Sequence, residues 1–119
     1  MADRQVARNK KTVKLATPIE WFGKRLAEIE LREPTGSEYI RLGDPRVLVR
    51  SQTGSGYFVE QNEVIEKYLD ACITIDGGAS IMAQLNLQDA MTVKMEMLGF
   101  FLAAAATTAA RNSTSSSSD

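Results

Sequence analysis

Residues 87–110, LQDAMTVKMEMLGFFLAAAATTAA, predict the longest helix of the chain. At 100° per residue, six of their apolar side chains fall within about 80° of arc. These residues follow one another at spacings of four or three: Leu87, Met91, Met95, Leu98, Leu102 and Ala105. Such spacing is typical of a helix face that packs against a protein core.

A second apolar group lies on a broad arc roughly opposite the first: Ala90, Val93, Met97, Phe100, Phe101 and Ala104. A surface helix of a small monomer needs only one apolar stripe, so the second must contact something. Two interpretations remain open. The helix is either the centre of a small bundle within the chain, or an interaction surface for another copy or for a partner protein.

The sequence before this helix predicts a β-hairpin over residues 13–32. Apolar residues alternate with other residues from Val13, and residues 24–32 place Ala27, Ile29 and Leu31 on one face. Gly23 lies between the two runs, where a tight turn requires a flexible backbone. We therefore expect a hairpin with one buried face.

The remaining segments predict short helices. Thr35 and Glu38 have the spacing of a capping box, which predicts a helix over 36–42 that ends at Gly43. Helical spacing also predicts helices over about 61–73 and 79–85. Residues 46–60 fit either a second hairpin or a loop. The expected fold class is α+β: one domain over 13–110, with an N-terminal β-hairpin followed by a small helical bundle that contains the long C-terminal helix.

Both chain ends predict disorder. Residues 1–12 form a basic arm, and residues 111–119, RNSTSSSSD, form a Ser-rich tail. The arm has no interleaved aromatic residues and no DNA-binding motif, so we expect a solvated tail and no nucleic-acid partner. We also expect no secretory signal, no membrane-spanning segment and a cytoplasmic location.

Composition argues against most enzyme classes. The 119 residues include no His and a single Cys, with 14 Lys plus Arg against 15 Asp plus Glu. Imidazole bases, His-dependent nucleophiles, His-bearing zinc sites and disulfides are thereby excluded. The single cysteine, Cys72, lies on an apolar helical stripe and is interpreted as a small buried hydrophobe. We predict no catalytic residues, no metal site, no cofactor and no enzymatic activity.

Two segments carry a resemblance to a known family. Residues 12–44, TVKLATPIEWFGKRLAEIELREPTGSEYIRLGD, resemble the start of the tail assembly chaperones of contractile-tailed phages, the gpE-like and Mu-like group. The matching motifs are the turn over residues 15–19 (LATPI) and the strand over residues 29–35 (IELREPT). Residues 85–101 are similar to the late Leu-x-x-x-Asp segment and closing Phe-Phe of that family, at Leu85, Asp89, Phe100 and Phe101.

The resemblance implies a non-enzymatic assembly factor in the host cell cytoplasm. Such a protein binds the tape measure protein during tail morphogenesis, keeps it soluble and helps to recruit the tail tube protein. In that family a programmed frameshift often adds a second domain to some copies, which makes a longer form of the chain a further partner.

The helix pattern and the resemblance together predict capture of an amphipathic helix on an apolar surface. We predict contacts with the partner, or with a second copy, at Val93, Met97, Phe100 and Phe101. Met91, Met95, Leu98 and Leu102 would then face the core of the domain. The alternative functions are a structural tail or connector component of the virion and a nucleic-acid-binding regulator that uses the basic arm.

Overall fold

The computed structural model describes residues 9–117, with side chains described for residues 9–111. It has two strand pairs and four helical segments, which confirms the predicted α+β class. In chain order the elements are β1 (Lys10–Trp21), β2 (Lys24–Arg32), α1 (Gly36–Leu42), β3 (Arg46–Arg50), β4 (Gly56–Glu60), α2 (Asn62–Cys72), a 3₁₀ helix (Gly78–Gln84) and α3 (Leu87–Ser117).

The first hairpin pairs β1 with β2 in antiparallel register. Phe22 and Gly23 form its two-residue turn with φ of 52° and 77°, the left-handed geometry that favours glycine in tight hairpins. Between the pairs Lys14↔Glu28 and Ile19↔Leu26, β1 contains extra residues that form a bulge. The bulge changes the side-chain phase, so Leu26 contacts the core while Ala27, predicted to face inward, is exposed.

The ends of the ordered region differ from the predicted boundaries. Strand β1 begins at Lys10, inside the segment predicted as a disordered arm, while residues 1–8 lie outside the described residues. Helix α3 extends to Ser117, into the predicted Ser-rich tail. Extending an existing helix costs much less than nucleating one, so the alanine-rich turns before Arg111 favour this continuation.

Helix α1 has the predicted bounds and the predicted capping box. The Thr35 hydroxyl accepts a hydrogen bond from the Glu38 backbone N–H at 3.0 Å, and the Glu38 carboxylate accepts one from the Thr35 N–H at 2.9 Å. Residues 46–60 form a second hairpin, β3–β4, which is one of the two predicted alternatives. We call this hairpin the ribbon.

The core lies between the first hairpin, α2 and the first half of α3. Ile29 and Leu31 of β2, together with Tyr68 and Cys72 of α2, are fully buried. The structure has a larger radius of gyration than a compact domain of this length, 17.0 Å against about 13.5 Å. The ribbon and one side of α3 contain most of the exposed large hydrophobic residues.

Candidate partner-binding surface

Helix α3 is fixed to the first hairpin by polar contacts at its start. The Asn86 side chain accepts a hydrogen bond from the Asp89 backbone N–H at 2.8 Å and donates one to the Thr17 hydroxyl at 2.9 Å. The Asp89 carboxylate accepts hydrogen bonds from the backbone N–H groups of Ala16 at 2.8 Å and Thr17 at 3.0 Å. Asp89 is only 2% exposed, and its two acceptors satisfy N–H groups of the β1 bulge.

Two lysines hold the flanks of the helix. Lys11 on β1 donates to the Glu96 backbone carbonyl at 2.9 Å, and its ammonium group lies 4.3 Å from the centre of the Phe100 ring. A Cβ at Gly99 would lie 2.6 Å from the Lys11 ammonium nitrogen, so glycine leaves room for this side chain. On the other flank, Lys94 forms an ion pair with Glu60 at 2.6 Å. These contacts set the rotation of α3 about its axis.

The four predicted partner contacts lie in the core instead. Val93 is 0%, Met97 1% and Phe100 5% exposed. Phe101 is half-buried and packs edge-on against Tyr68, with ring centroids 4.8 Å apart. The prediction that this arc is exposed is therefore wrong. The physical reason is Asp89, which lies on the same arc and must face β1 to satisfy the bulge.

The opposite arc is the exposed one. Leu87 is 75%, Met91 54%, Met95 67% and Leu102 55% exposed, whereas Leu98 between them is buried. Of the residues predicted to face the core, only Leu98 does so. We call Leu87, Met91, Met95 and Leu102 the α3 stripe. From Met91 to Ala105 the apolar positions, with Leu98, are spaced four, three, four and three, the repeat with which one helix packs along another.

A groove lies beside the distal part of the same helix. It has a volume of about 600 Å³, and α1 with its preceding turn forms one wall while α3 forms the other. Tyr39, Phe101, Ala104 and Ala105 contribute apolar surface, and Asp44 contributes a carboxylate. The Arg32–Glu38 ion pair, with nitrogen and oxygen 2.7 Å apart, holds α1 against β2.

The ribbon is the second exposed apolar feature. Its large side chains are between about two-fifths and three-fifths exposed: Val47, Leu48, Tyr57, Phe58 and Val59. The Arg46 guanidinium lies 4.7 Å from the centre of the Phe58 ring. The strands of the ribbon pair only with each other within the described residues.

The titratable groups near these surfaces have structural roles. Burial raises the pKa of the Cys72 thiol to about 11, so little reactive thiolate is present at neutral pH. Burial also raises the pKa of Tyr68 to about 12, and its hydroxyl donates to the Gly43 carbonyl at 2.6 Å. Over residues 9–111, no group of three or more Asp, Glu, Cys or His side chains has the geometry of a metal site.

Helix α3 also meets the length and composition criteria for a membrane span. Residues Leu87–Arg111 include an 18-residue window with a mean hydropathy of 1.3, of which 28% is buried. Core helices of soluble proteins meet the same criteria. The absence of a membrane-spanning segment therefore stays a prediction.

Comparisons of the chain with protein-family models, curated proteins and solved structures give no significant match. The pattern predicted two apolar arcs correctly but assigned them to the wrong sides. Asp89 lies on the buried arc, but a carboxylate in the first turn of a helix does not by itself indicate which arc is buried.

Proposed function

We propose that this chain is a phage tail assembly chaperone, acting in the host cell cytoplasm. It binds the tape measure protein during tail morphogenesis and keeps it soluble until tail tube protein assembles around it. The observation that carries this proposal is the α3 stripe, an exposed apolar row interrupted by buried Leu98, on a helix that its own core holds in place. The resemblance of residues 12–44 and 85–101 supports the same function.

The spacing of the stripe favours a helical partner. An amphipathic helix with apolar residues at intervals of three and four places its side chains between Met91, Met95 and Leu102. The residues beside the stripe are mostly small or uncharged, as at Gly99 and Ala106. Lys94 is already paired with Glu60. Since few charges select a particular partner sequence, the stripe suits a long helix whose sequence changes along its length.

The expected affinity of one stripe is low. Burying a large apolar side chain contributes about 1.5–3 kcal/mol from full exposure, and the stripe residues are already partly covered. Association itself costs about 4–15 kcal/mol. A single stripe therefore gives weak, reversible binding, and several copies on one long helix give stronger retention. Reversibility is what a chaperone needs when tube subunits replace it.

Methionine suits this role in the stripe. Met91 and Met95 are unbranched and polarizable, so they adapt to partner side chains of different shapes. Their neighbour Met97 has the same chemistry but lies in the core. The stripe thus places adaptable side chains on the outside of a helix whose inside is fixed by packing.

Co-expression with the tape measure protein of the same phage tests the proposal. We expect the wild-type chain to raise the soluble fraction of that protein. Met95→Lys should remove most of this effect, because it places a charge in the middle of the stripe. Thr92→Lys adds the same charge to the same helix outside the stripe and should retain the effect. Circular dichroism should show both variants folded.

Two results would overturn the proposal. The first is a tape measure protein that is no more soluble with the wild-type chain than alone. The second is a folded Met95→Lys variant that is as effective as Thr92→Lys. Mass spectrometry of purified particles provides a further check, because a chaperone should be absent from finished virions and a structural tail or connector component should be present.

A further inference from the structure

The ribbon exposes large apolar side chains on both of its faces. Of its ten strand residues, five are large exposed hydrophobic residues, and they lie on both faces. The strands have five residues each, and an isolated two-stranded hairpin of this kind is marginally stable in water. Residues of β4 are exposed along the whole strand, so this edge is the more accessible one.

The hydrogen-bond pattern shows which backbone groups point away from the ribbon. The Gln61 N–H donates to the Pro45 carbonyl and the Ser51 N–H to the Ser55 carbonyl, each at 2.7 Å. Since bonded and non-bonded pairs alternate in an antiparallel ladder, the pairs Val47↔Val59 and Val49↔Tyr57 are bonded. The outward-pointing backbone groups of β4 therefore belong to the intervening residues: Gly56, Phe58 and Glu60.

We propose that β4 pairs with β4 of a second copy of this chain, antiparallel and about a twofold axis at Phe58. Phe58 then lies opposite Phe58 of the second copy, and Gly56 lies opposite Glu60 of the second copy. All three outward-pointing residues of β4 thereby find partners, and the junction has about six backbone hydrogen bonds. The two ribbons become one four-stranded sheet. This assembly goes beyond the proposed function and needs no tape measure protein.

Charge favours the β4 edge over the β3 edge. The same twofold pairing through β3 would place Arg46 opposite Arg50 of the second copy, twice, and like charges directly opposite destabilise a strand pair. The outward N–H of Arg46 is also occupied already, because it donates to the Asp44 carboxylate at 2.8 Å. Pairing through β4 places Glu60 opposite a glycine, and every outward-pointing backbone N–H and C=O group of β4 then has a hydrogen-bond partner.

The apolar side chains also match across the proposed junction. On one face, Val59 is adjacent to Tyr57 of the second copy, and both continue the existing pairs Val47↔Val59 and Val49↔Tyr57. On the other face, Phe58 lies opposite Phe58 of the second copy, and the two Leu48 side chains extend the same row at its two ends. Aromatic and β-branched neighbours across strands stabilise a sheet. The self-complementary register thus joins the exposed residues of two ribbons into continuous rows.

Cysteine cross-linking of the purified full-length chain tests the register. In a bonded antiparallel pair the Cα atoms are about 5.5 Å apart, so two thiols at that position lie within reach of a short bifunctional thiol reagent. Phe58→Cys should therefore form covalent dimers with such a reagent. Leu48→Cys is the matched control on the same face, and it should not cross-link because its counterpart lies about 14 Å away across the sheet. The native Cys72 is fully buried and is shared by both variants.

Proline substitution tests the backbone pairing in the same chain. Phe58→Pro and Leu48→Pro each remove one outward-pointing N–H and leave the internal ladder of the ribbon intact. We expect Phe58→Pro to raise the dimer dissociation constant by about tenfold or more, measured by analytical ultracentrifugation. Leu48→Pro should leave it within about twofold of wild type.

This inference would be overturned by a wild-type chain that stays monomeric at every concentration, by cross-linking of Leu48→Cys without Phe58→Cys, or by equal dimerisation of the two proline variants. Assemblies larger than dimers would indicate β3–β4 pairing between copies and would also contradict it. Because these measurements use the chain alone, they are independent of the co-expression result.

Discussion

The two sides of helix α3 contain the same kinds of residue in opposite environments. Met97 is 1% exposed and Met95, two positions earlier, is 67% exposed. Hydrophobicity does not distinguish them. The inner side is selected by Asp89, which satisfies two bulge N–H groups, and by Lys11, which contacts the Glu96 carbonyl. A few polar contacts therefore decide which apolar face becomes core and which remains available to a partner.

The largest loss of stability is expected from placing a charge on the buried side of α3. Met97→Glu should destabilise the chain by about 4 kcal/mol or more, because a carboxylate would be buried without a partner. Met95→Glu, the matched change on the outer side, should stay within about 0.5 kcal/mol of wild type. Urea unfolding followed by circular dichroism measures both. Equal destabilisation of the two variants would show that the two sides of α3 do not differ in burial.

Removing the Asp89 carboxylate should cause the next largest loss of stability. Asp89→Ala leaves the N–H groups of Ala16 and Thr17 without acceptors, so we expect a loss of about 2–5 kcal/mol. Amide hydrogen exchange should also accelerate at those two residues. Gln88→Ala, at the exposed neighbouring position, is the control and should change little. Unchanged protection at Ala16 and Thr17 in Asp89→Ala would show that Asp89 does not set the rotation of α3.

A smaller, pH-dependent effect is expected at α1, which forms a wall of the groove. The Arg32 guanidinium donates two hydrogen bonds to Glu38 and lowers the pKa of that carboxyl from 4.5 to about 2. Because the folded pKa is depressed, the stabilisation is present above pH 4.5 and is lost as the pH falls towards 2. Glu38→Gln should cost about 1–2 kcal/mol at pH 7 and progressively less below pH 4.5.

Unfolding titrations at neutral and acidic pH measure this difference. Glu66→Gln, at an exposed position on α2, is the control and should stay within about 0.5 kcal/mol of wild type at both pH values. A Glu38→Gln effect that is constant across this pH range would exclude the ion pair as its cause.

Local signals in the sequence predicted much of the fold. The capping box of Thr35 and Glu38 gave the bounds of α1, and Gly23 marked the first turn. The α+β class is confirmed. Residues 46–60 fitted two alternatives because a short apolar run beside turn residues is compatible with a hairpin or a loop. The predicted side-chain phase of β2 is confirmed at Ile29 and Leu31 but is wrong before Glu28, at Ala27, because a bulge in the partner strand is not visible in β2 itself.

The rotation of α3 could not be predicted from periodicity, because both arcs are apolar. It depends on the contact between Asp89 and the backbone at Ala16 and Thr17, which are more than 70 positions away in the sequence. Likewise, the register between the two ribbon strands determines which backbone N–H and C=O groups of β4 point away from β3. Both candidate surfaces therefore depend on contacts between segments, which no single segment of the sequence shows.

Methionine oxidation tests whether the α3 stripe is the binding face, because Met91, Met95 and Met97 share one helix. Brief treatment of the chain with hydrogen peroxide, followed by mass spectrometry, should oxidise Met91 and Met95 much faster than Met97. In a complex with the tape measure protein, we expect protection of Met91 and Met95 to nearly the level of Met97. Unprotected Met91 and Met95 in a complex that demonstrably forms would contradict binding through the α3 stripe.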